Sequence, residues 1–422
     1  MKKFQHFPET LAEALFLICL VVLCLPILRE DAFVEGSSRA VETGGEEETE
    51  GENRTKEESE TENGTESETE KDYIKWVEFD VPCEGLQKAY KWDVETHDTE
   101  TPLNWIELLA CLATEYGGDF TRYKGTDLDS LAQRLTAGET TMEELTENRR
   151  YYSYYLEAYT AVLGGMVGEF EIEVPDGKGG KMWEKRYGLK AFSPIAKGFE
   201  YYDYDDFGSS RSYGYRRPHL GHDMMGQTGT PIIAIESGYV EALGWNQYGG
   251  WRIGIRSFDK KRYYYYAHLR QNFPYHKSLE EGSVVQAGDV IGYLGHTGYS
   301  ATENVNNIDV PHLHWGLQLI FDESQKEGSN EIWVDCYQLT RFLSQNRCET
   351  VKNQETRDYW RVYQMEDDSG LSGRLICRAT HVMMLGSKDA IRIVPCFVLP
   401  QSCPIFRYRG TFVPLLSSYW DG

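Results

Sequence analysis

Apolar residues recur at helical spacing in three stretches of the first half of the chain, and in the second half they fall into short alternating runs broken by glycine. Over Asn104-Trp105-Ile106-Glu107-Leu108-Leu109-Ala110-Cys111-Leu112-Ala113-Thr114-Glu115-Tyr116-Gly117-Gly118 the spacing predicts a helix with Asn104 as N-cap and glycine past its end. A second helix is predicted over 127–136 and a third over about 142–163. In the third, Tyr151, Tyr152, Tyr154, Tyr155 and Tyr159 form a stripe that reads as packing surface rather than ligand platform. Residues 167–191 alternate as two strands about the turn Pro175-Asp176-Gly177-Lys178-Gly179-Gly180. Strands follow over 232–235, 239–243, 251–256, 262–268, 290–293 and 312–320. No run among them has helix length, so an antiparallel β-sheet is the simplest architecture. Residues 207–217 read as a loop, 332–342 as a closing helix, and the sequence beyond about Asn353 fits no recognisable element.

The amino-terminal pattern is of another kind. Met1-Lys2-Lys3 and a short polar lead precede an uncharged run over 14–28. As a helix this run spans about 22 Å, short of a hydrocarbon core of about 30 Å, and Leu11 and Ala12 extend it. The segment reads as an export signal. No A-x-A site follows it directly, which favours an uncleaved anchor over a removed signal peptide. Lys2 and Lys3 place the amino terminus in the cytoplasm and the remainder outside the membrane.

Charge changes the picture only locally. The net charge is −24, and residues 41–71 contribute −10 of it, with thirteen Glu against Arg54, Lys56 and Lys71. That segment has Val41 as its sole aliphatic or aromatic residue, so it reads as a disordered, self-repelling spacer. The acidity argues against nucleic acid as a partner. The organisation expected is multidomain α+β: an anchor at 1–30, an acidic linker at 31–72, a small helical domain at 73–165, connecting strands at 166–206, a mainly antiparallel β-sheet domain at 207–350 and a carboxy-terminal extension of unknown role at 351–422. Glu107 and Glu115 in the helical part have no partnering carboxylate at sequence level, so neither reads as a glycosidase acid.

Candidate chemistry gathers in the β-rich half. Seven of the ten histidines fall between His219 and His314. Three motifs carry them: His219-Leu220-Gly221-His222-Asp223, Tyr266-Ala267-His268-Leu269 and His312-Leu313-His314. Alternate residues of a strand face the same way, so His312 and His314 can point into one cavity. Each motif alone has an ordinary reading, since a lone His268 in a tyrosine-rich strand is a core or edge histidine and His219 with Asp223 is a surface pair. Together they point to a metal. No Cys lies between Cys111 and Cys336, so a zinc site in this window would be open and hydrolytic rather than a closed thiolate site. The nine cysteines suggest pairing only among Cys348, Cys377, Cys396 and Cys403.

These motifs, with Gly229-Thr230-Pro231, Glu236-Ser237-Gly238-Tyr239-Val240, Gly288-x-x-Ile291-Gly292, Gly295-His296-Thr297-Gly298 and Trp315, resemble the lysostaphin-type, LytM-like zinc metallopeptidases that cut bacterial cell-wall peptidoglycan. The likeness covers about 207–321. It implies a β-sheet groove with Zn2+ on its floor, His219, Asp223 and His314 as zinc ligands, and catalytic roles for His268 and His312. His222 departs from the aliphatic or small residue expected before Asp223, and leaves open whether that imidazole faces the groove. The function implied is endopeptidase cleavage of peptidoglycan peptide stems or cross-bridges by a zinc-activated water. His312 is the better candidate for general base and His268 for oxyanion stabilisation or proton donation, although the sequence does not divide these roles. The alternative is a LytM-like scaffold of cell division or endospore engulfment, holding an envelope protein through the helical domain. A zinc peptidase acting on glycine-rich bridges or on a secreted protein is a third reading. Tyr213, Tyr215 and Arg217 are candidates for the groove's edge, while His276 and His296 read as loop residues.

Overall fold

The computed structural model describes residues 73–367, apart from Gly214 and Ser329. The anchor and acidic linker read over 1–72, and Cys377, Cys396 and Cys403 in the carboxy-terminal extension, lie outside the described residues. Among the described residues no helix is long and apolar enough to cross a membrane.

Five helices come first: α1 (Cys83–Thr96), α2 (Trp105–Tyr116), α3 (Gly125–Thr136), α4 (Met142–Thr146) and α5 (Tyr152–Leu163). The caps of α2 match the sequence. Asn104 accepts from the amides of Ile106 and Glu107 at 2.9 and 3.2 Å, and Gly117 ends the helix at φ 68°. Replacing Asn104 with alanine should cost about 1 kcal/mol in urea denaturation, with an unchanged m-value; an unaltered midpoint would show that the cap does not matter. The third expected helix is two, because the chain breaks between α4 and α5. Helix α1 has no signal of comparable strength in the sequence. Its N-cap is Pro82, which offers no side-chain cap, and its buried face includes Asp93 and Thr96. Asp93 is tolerated there because it accepts from the Trp105 amide at 2.9 Å and the Tyr187 hydroxyl at 2.6 Å.

The β elements are β1 (Val167–Pro175), β2 (Lys181–Leu189), β3 (Tyr201–Asp203), β4 (Ser210–Tyr213), β5 (Tyr215–Pro218), β6 (His222–Gly226), β7 (Pro231–Ile233), β8 (Gly238–Asn246), β9 (Gly250–Ser257), β10 (Arg262–Ala267), β11 (Val284–Val285), β12 (Val290–Tyr293), β13 (His312–Leu319), β14 (Ile332–Val334), β15 (Thr350–Lys352), β16 (Tyr359–Arg361) and β17 (Met365–Glu366). A last helix, α6, spans Tyr337–Leu343. Strands β1 and β2 pair about the expected turn, where Asp176 accepts from the amides of Lys178 and Gly180 at 2.7 and 2.8 Å. The main sheet runs β11-β8-β9-β10-β13-β6-β3 with β14 on β13, all antiparallel.

Two expectations need correction. The loop over 207–217 contains the β4–β5 hairpin, and the closing helix over 332–342 is β14 followed by α6. The apolar Ile332-Trp333-Val334 reads equally as a buried helix or a strand; register against β13, Leu317 opposite Val334, decides for the strand.

Strand β13 explains how the sheet presents chemistry. Leu313, Trp315, Leu317 and Leu319 are buried in the core, so the alternating positions His312 and His314 face the other way. The same core takes in the helices. Trp105 of α2 stacks on Phe342 of α6 at 5.7 Å, and buried Arg262 at the start of β10 donates to the carbonyls of Thr160 and Ala161 in α5 at 3.3 and 2.9 Å. The thiols of Cys83, Cys111, Cys336 and Cys348 are free and buried.

Candidate metal centre

Strand register brings the three motifs together. His314 of β13 stands opposite Asp223 of β6 on one side and Ala267, the residue before His268, on the other. His219 arrives from the turn between β5 and β6, where Gly221 allows a close approach: a Cβ there would lie 2.6 Å from the His314 ring. The result is a compact donor set. His219 Nε2 lies 3.1 Å from Asp223 Oδ1 and 2.9 Å from His314 Nδ1, which is itself 2.9 Å from Asp223 Oδ1. Tetrahedral zinc with bonds of about 2.0–2.1 Å spaces its ligands roughly 3.3 Å apart, so one ion fits among these atoms after a small relaxation. Among the described residues this is the group of three or more titratable side chains that converges closely enough to hold a metal.

The surroundings set the protonation. The Nδ1 of His219 faces the Asp206 carbonyl oxygen at 3.3 Å; donating a proton there turns the Nε2 lone pair toward Asp223 and His314. Burial pushes the Asp223 pKa up, but hydrogen bonds from His219 and His314 outweigh it and hold the carboxyl far below its usual range. Burial lowers the pKa of His314 against the opposing pull of Asp223, which favours the neutral imidazole a metal needs.

His268 and His312 border the donor set without joining it. Their ring centroids are 4.7 Å apart, and His268 is 5.8 Å from His314. His268 sits at φ 60°, held by its amide to the Gly249 carbonyl at 2.7 Å and by its Nδ1 to the Thr297 carbonyl at 3.0 Å. Burial, with His312 and His314 beside it, holds its pKa well below the ordinary histidine value. His312 Nδ1 donates to the Val310 carbonyl at 2.8 Å, and its Nε2 lies 3.7 Å from Asp223 Oδ1. Both rings therefore commit Nδ1 to a backbone carbonyl, and His312 turns Nε2 toward Asp223.

Two neighbours escape sequence reasoning. Asp206 backs His219, and Arg211 of β4 donates to Asp206 and, at 3.2 Å, to Asp223 Oδ2. Their sole signal is an acidic and aromatic run before a segment read as a loop; the hairpin that folds Arg211 over His219 is a tertiary event. His222 faces away. It is buried, 2.9 Å from Asp203 Oδ2 and packed near Tyr337, on the side of β6 opposite to Asp223. His276 packs edge-on to Trp360 at 4.4 Å, and His296 Nδ1 donates to the Ile308 carbonyl at 2.8 Å, so both serve loops. Arg217 lines the groove that opens over the donor set, a cavity of about 520 Å³ walled by Tyr248, Tyr299 and Trp333 among others.

Residues 217–327 match the model of peptidase family M23. Over 111 residues the chain is 40% identical to the L-Ala–D-Glu endopeptidase of Bacillus subtilis (strain 168), a match covering 26% of this chain and 32% of that protein. Over 98 residues it is 37% identical to lysostaphin of Staphylococcus staphylolyticus, covering 23% of this chain and 18% of the relative. The matches thus span a third or less of these relatives. A solved structure of a lytM protein from Ruminococcus gnavus ATCC 29149 aligns with 63% of this chain and 93% of its own at 25% identity and a TM-score of 0.40.

Proposed function

Starting from the peptidase family M23 domain that residues 217–327 form, we propose that the protein is a zinc-dependent endopeptidase that hydrolyses peptide bonds of bacterial cell-wall peptidoglycan. Zinc is the metal of this family, and two imidazole nitrogens with one carboxylate oxygen are a donor set suited to it. The observation that carries the reading is the approach of His219 Nε2, Asp223 Oδ1 and His314 Nδ1 within 2.9–3.1 Å on the floor of an open groove, bordered by two further imidazoles.

When bound, zinc supplies a Lewis acid that polarises a carbonyl and brings the pKa of a water toward neutrality. The chain's own residues do the rest. With Nδ1–H committed to the Val310 and Thr297 carbonyls, His312 and His268 each leave Nε2 as the acceptor nitrogen. His312 stands beside Asp223 and takes a proton from the attacking water; the imidazolium so formed can return it to the leaving amine. His268 is kept neutral by burial, so it can donate to the developing oxyanion only after taking up a proton from solvent. Backing by Asp206 and Arg211 holds His219 and Asp223 in place.

A complete set of ligands and flanking imidazoles favours turnover over a purely scaffolding role. The run over 14–28 and the acidic stretch behind it support placing the domain outside the bacterial cell membrane, tethered at its amino end. The test is mass spectrometry of fragments released when the zinc-loaded full chain meets purified peptidoglycan. The full chain is needed because residues 200–350 alone would lose Trp105 and the α5 carbonyls from their core. New peptide ends should appear, and be absent with a His314→Ala control; intact peptide stems and bridges with one zinc bound would overturn the reading.

A further inference from the structure

The relatives' names divide between a bond next to an acidic residue and, for a glycyl-glycine endopeptidase of Staphylococcus capitis, a neutral glycine bond. The groove of this chain carries features that bear on such a choice. Among the residues lining it, Arg211 is engaged by Asp206 and Asp223, and Lys326 by Glu241. Arg217 and Arg252 line the same groove, and among the described residues neither has an acidic partner within ion-pair distance. Arg252 hydrogen-bonds Tyr263, yet among the described residues each arginine has a buried nitrogen without an acceptor, Nη1 of Arg217 and Nε of Arg252. Buried donors of charged groups are rarely left this way, because the desolvation they suffer is not repaid.

Their placement relative to the metal centre is defined by rings. The Arg217 guanidinium lies over Tyr248 at 4.7 Å and Tyr299 at 5.4 Å, and Tyr299 is 5.9 Å from His268. The clamp presents a planar fork in fixed orientation, the arrangement that suits a carboxylate. Arg252 rises from β9 beside Tyr263. Tyr265, whose ring is 6.0 Å from His314, feels both guanidinium charges, which oppose the effect of its burial. Both cations line the groove that also takes in His219, Asp223 and His314, and Glu327 lines it with them. Glu331 in the same lining is occupied as acceptor for Trp333 Nε1 at 2.8 Å.

Resting on the peptidase reading above, we propose that Arg217 and Arg252 are specificity-determining residues that select a peptide with a free carboxylate beside the scissile bond, so that the substrate class is an acidic peptide stem and not a neutral glycine bridge. Glutamine at either position keeps hydrogen-bonding capacity but removes the charge and the fork.

The test compares two synthetic peptides, N-acetyl-L-alanyl-γ-D-glutamyl-L-lysine and the same peptide with the glutamyl α-carboxylate amidated, with pentaglycine as neutral control. Zinc-loaded full chain should favour the carboxylate form in kcat/KM by about tenfold to a hundredfold, mainly through KM, the worth of one or two charge-assisted contacts. The R217Q/R252Q double variant should lose that preference. Binding of the two forms to the full chain by calorimetry provides a readout that needs no turnover, and the parent should bind the carboxylate form more tightly by a similar factor. Equal binding of both forms by the parent, or a preference retained in R217Q/R252Q, overturns the proposal. Selective binding without cleavage of any peptide would instead overturn the endopeptidase reading, and with it the substrate assignment, and leave Arg217 and Arg252 as carboxylate-binding residues of the groove.

Discussion

The His314→Ala protein is expected to retain essentially no zinc and to release no peptide from peptidoglycan, whereas His312→Ala keeps close to one zinc per chain and loses turnover. The contrast follows from where the two rings stand on one strand. His314 Nδ1 is 2.9 Å from both other donor atoms, while His312 reaches Asp223 only at 3.7 Å. Full ligand sets bind zinc with about 10–16 kcal/mol of apparent free energy, so losing one donor of three costs several kcal/mol, roughly a thousandfold or more in affinity. Loss of a positioned general base costs about 10²–10⁴ in rate with the metal still in place. Metal content by mass spectrometry, read beside fragment release, separates the two. Parental zinc affinity in His314→Ala would refute the ligand assignment, and zinc lost equally from both variants would make His312 a ligand.

A second large effect lies outside the groove. Replacing Arg262 with methionine should destabilise the protein by about 3–5 kcal/mol. The guanidinium is fully buried, with Nε donating to Glu236 at 2.7 Å and Nη2 to Asp259 at 2.7 Å. Burial works against its charge, but Glu236, which also accepts from Tyr264 at 2.6 Å, more than compensates and raises the pKa of the pair's arginine. Methionine strands the Glu236 carboxylate, leaves the Ala161 carbonyl without its Arg262 donor, and leaves the Thr160 carbonyl with the Gly164 amide alone. The Arg262→Met/Glu236→Leu double variant should recover part of the loss, since replacing a whole buried pair costs less than breaking it. Urea denaturation of the three proteins checks this. A single variant within about 1 kcal/mol of the parent would mean that water replaces the guanidinium. Because β10 runs from Arg262 to the residue before His268, the same variant should loosen the groove floor and reduce turnover alongside stability.

Legibility varied with how local the physical cause was. The α2 caps, the β1–β2 turn and most strands of the main sheet were visible because each depends on the conformational preferences of a few adjacent residues. Helix α1 was hidden because its buried face includes Asp93, whose partners Trp105 and Tyr187 lie 12 and 94 residues away. The break between α4 and α5 was hidden because residues 147–151 contain no Gly or Pro to interrupt the helical reading.

The sequence by itself determined which residues stand ready to meet a metal: the H-x-x-x-D and H-x-H spacings and the strand alternation that turns His312 and His314 to one face are properties of short segments. Tertiary structure decided what surrounds them. Strand register set Asp223 opposite His314, the β4–β5 hairpin brought Arg211 and Asp206 behind His219, and alternation on β6 sent His222 to the far side against Asp203. The absence of any acidic partner for Arg217 and Arg252 among the described residues is likewise a fact about folded space. Whether a charge is neutralised depends on distances between strands far apart in the chain, and no local pattern encodes those distances.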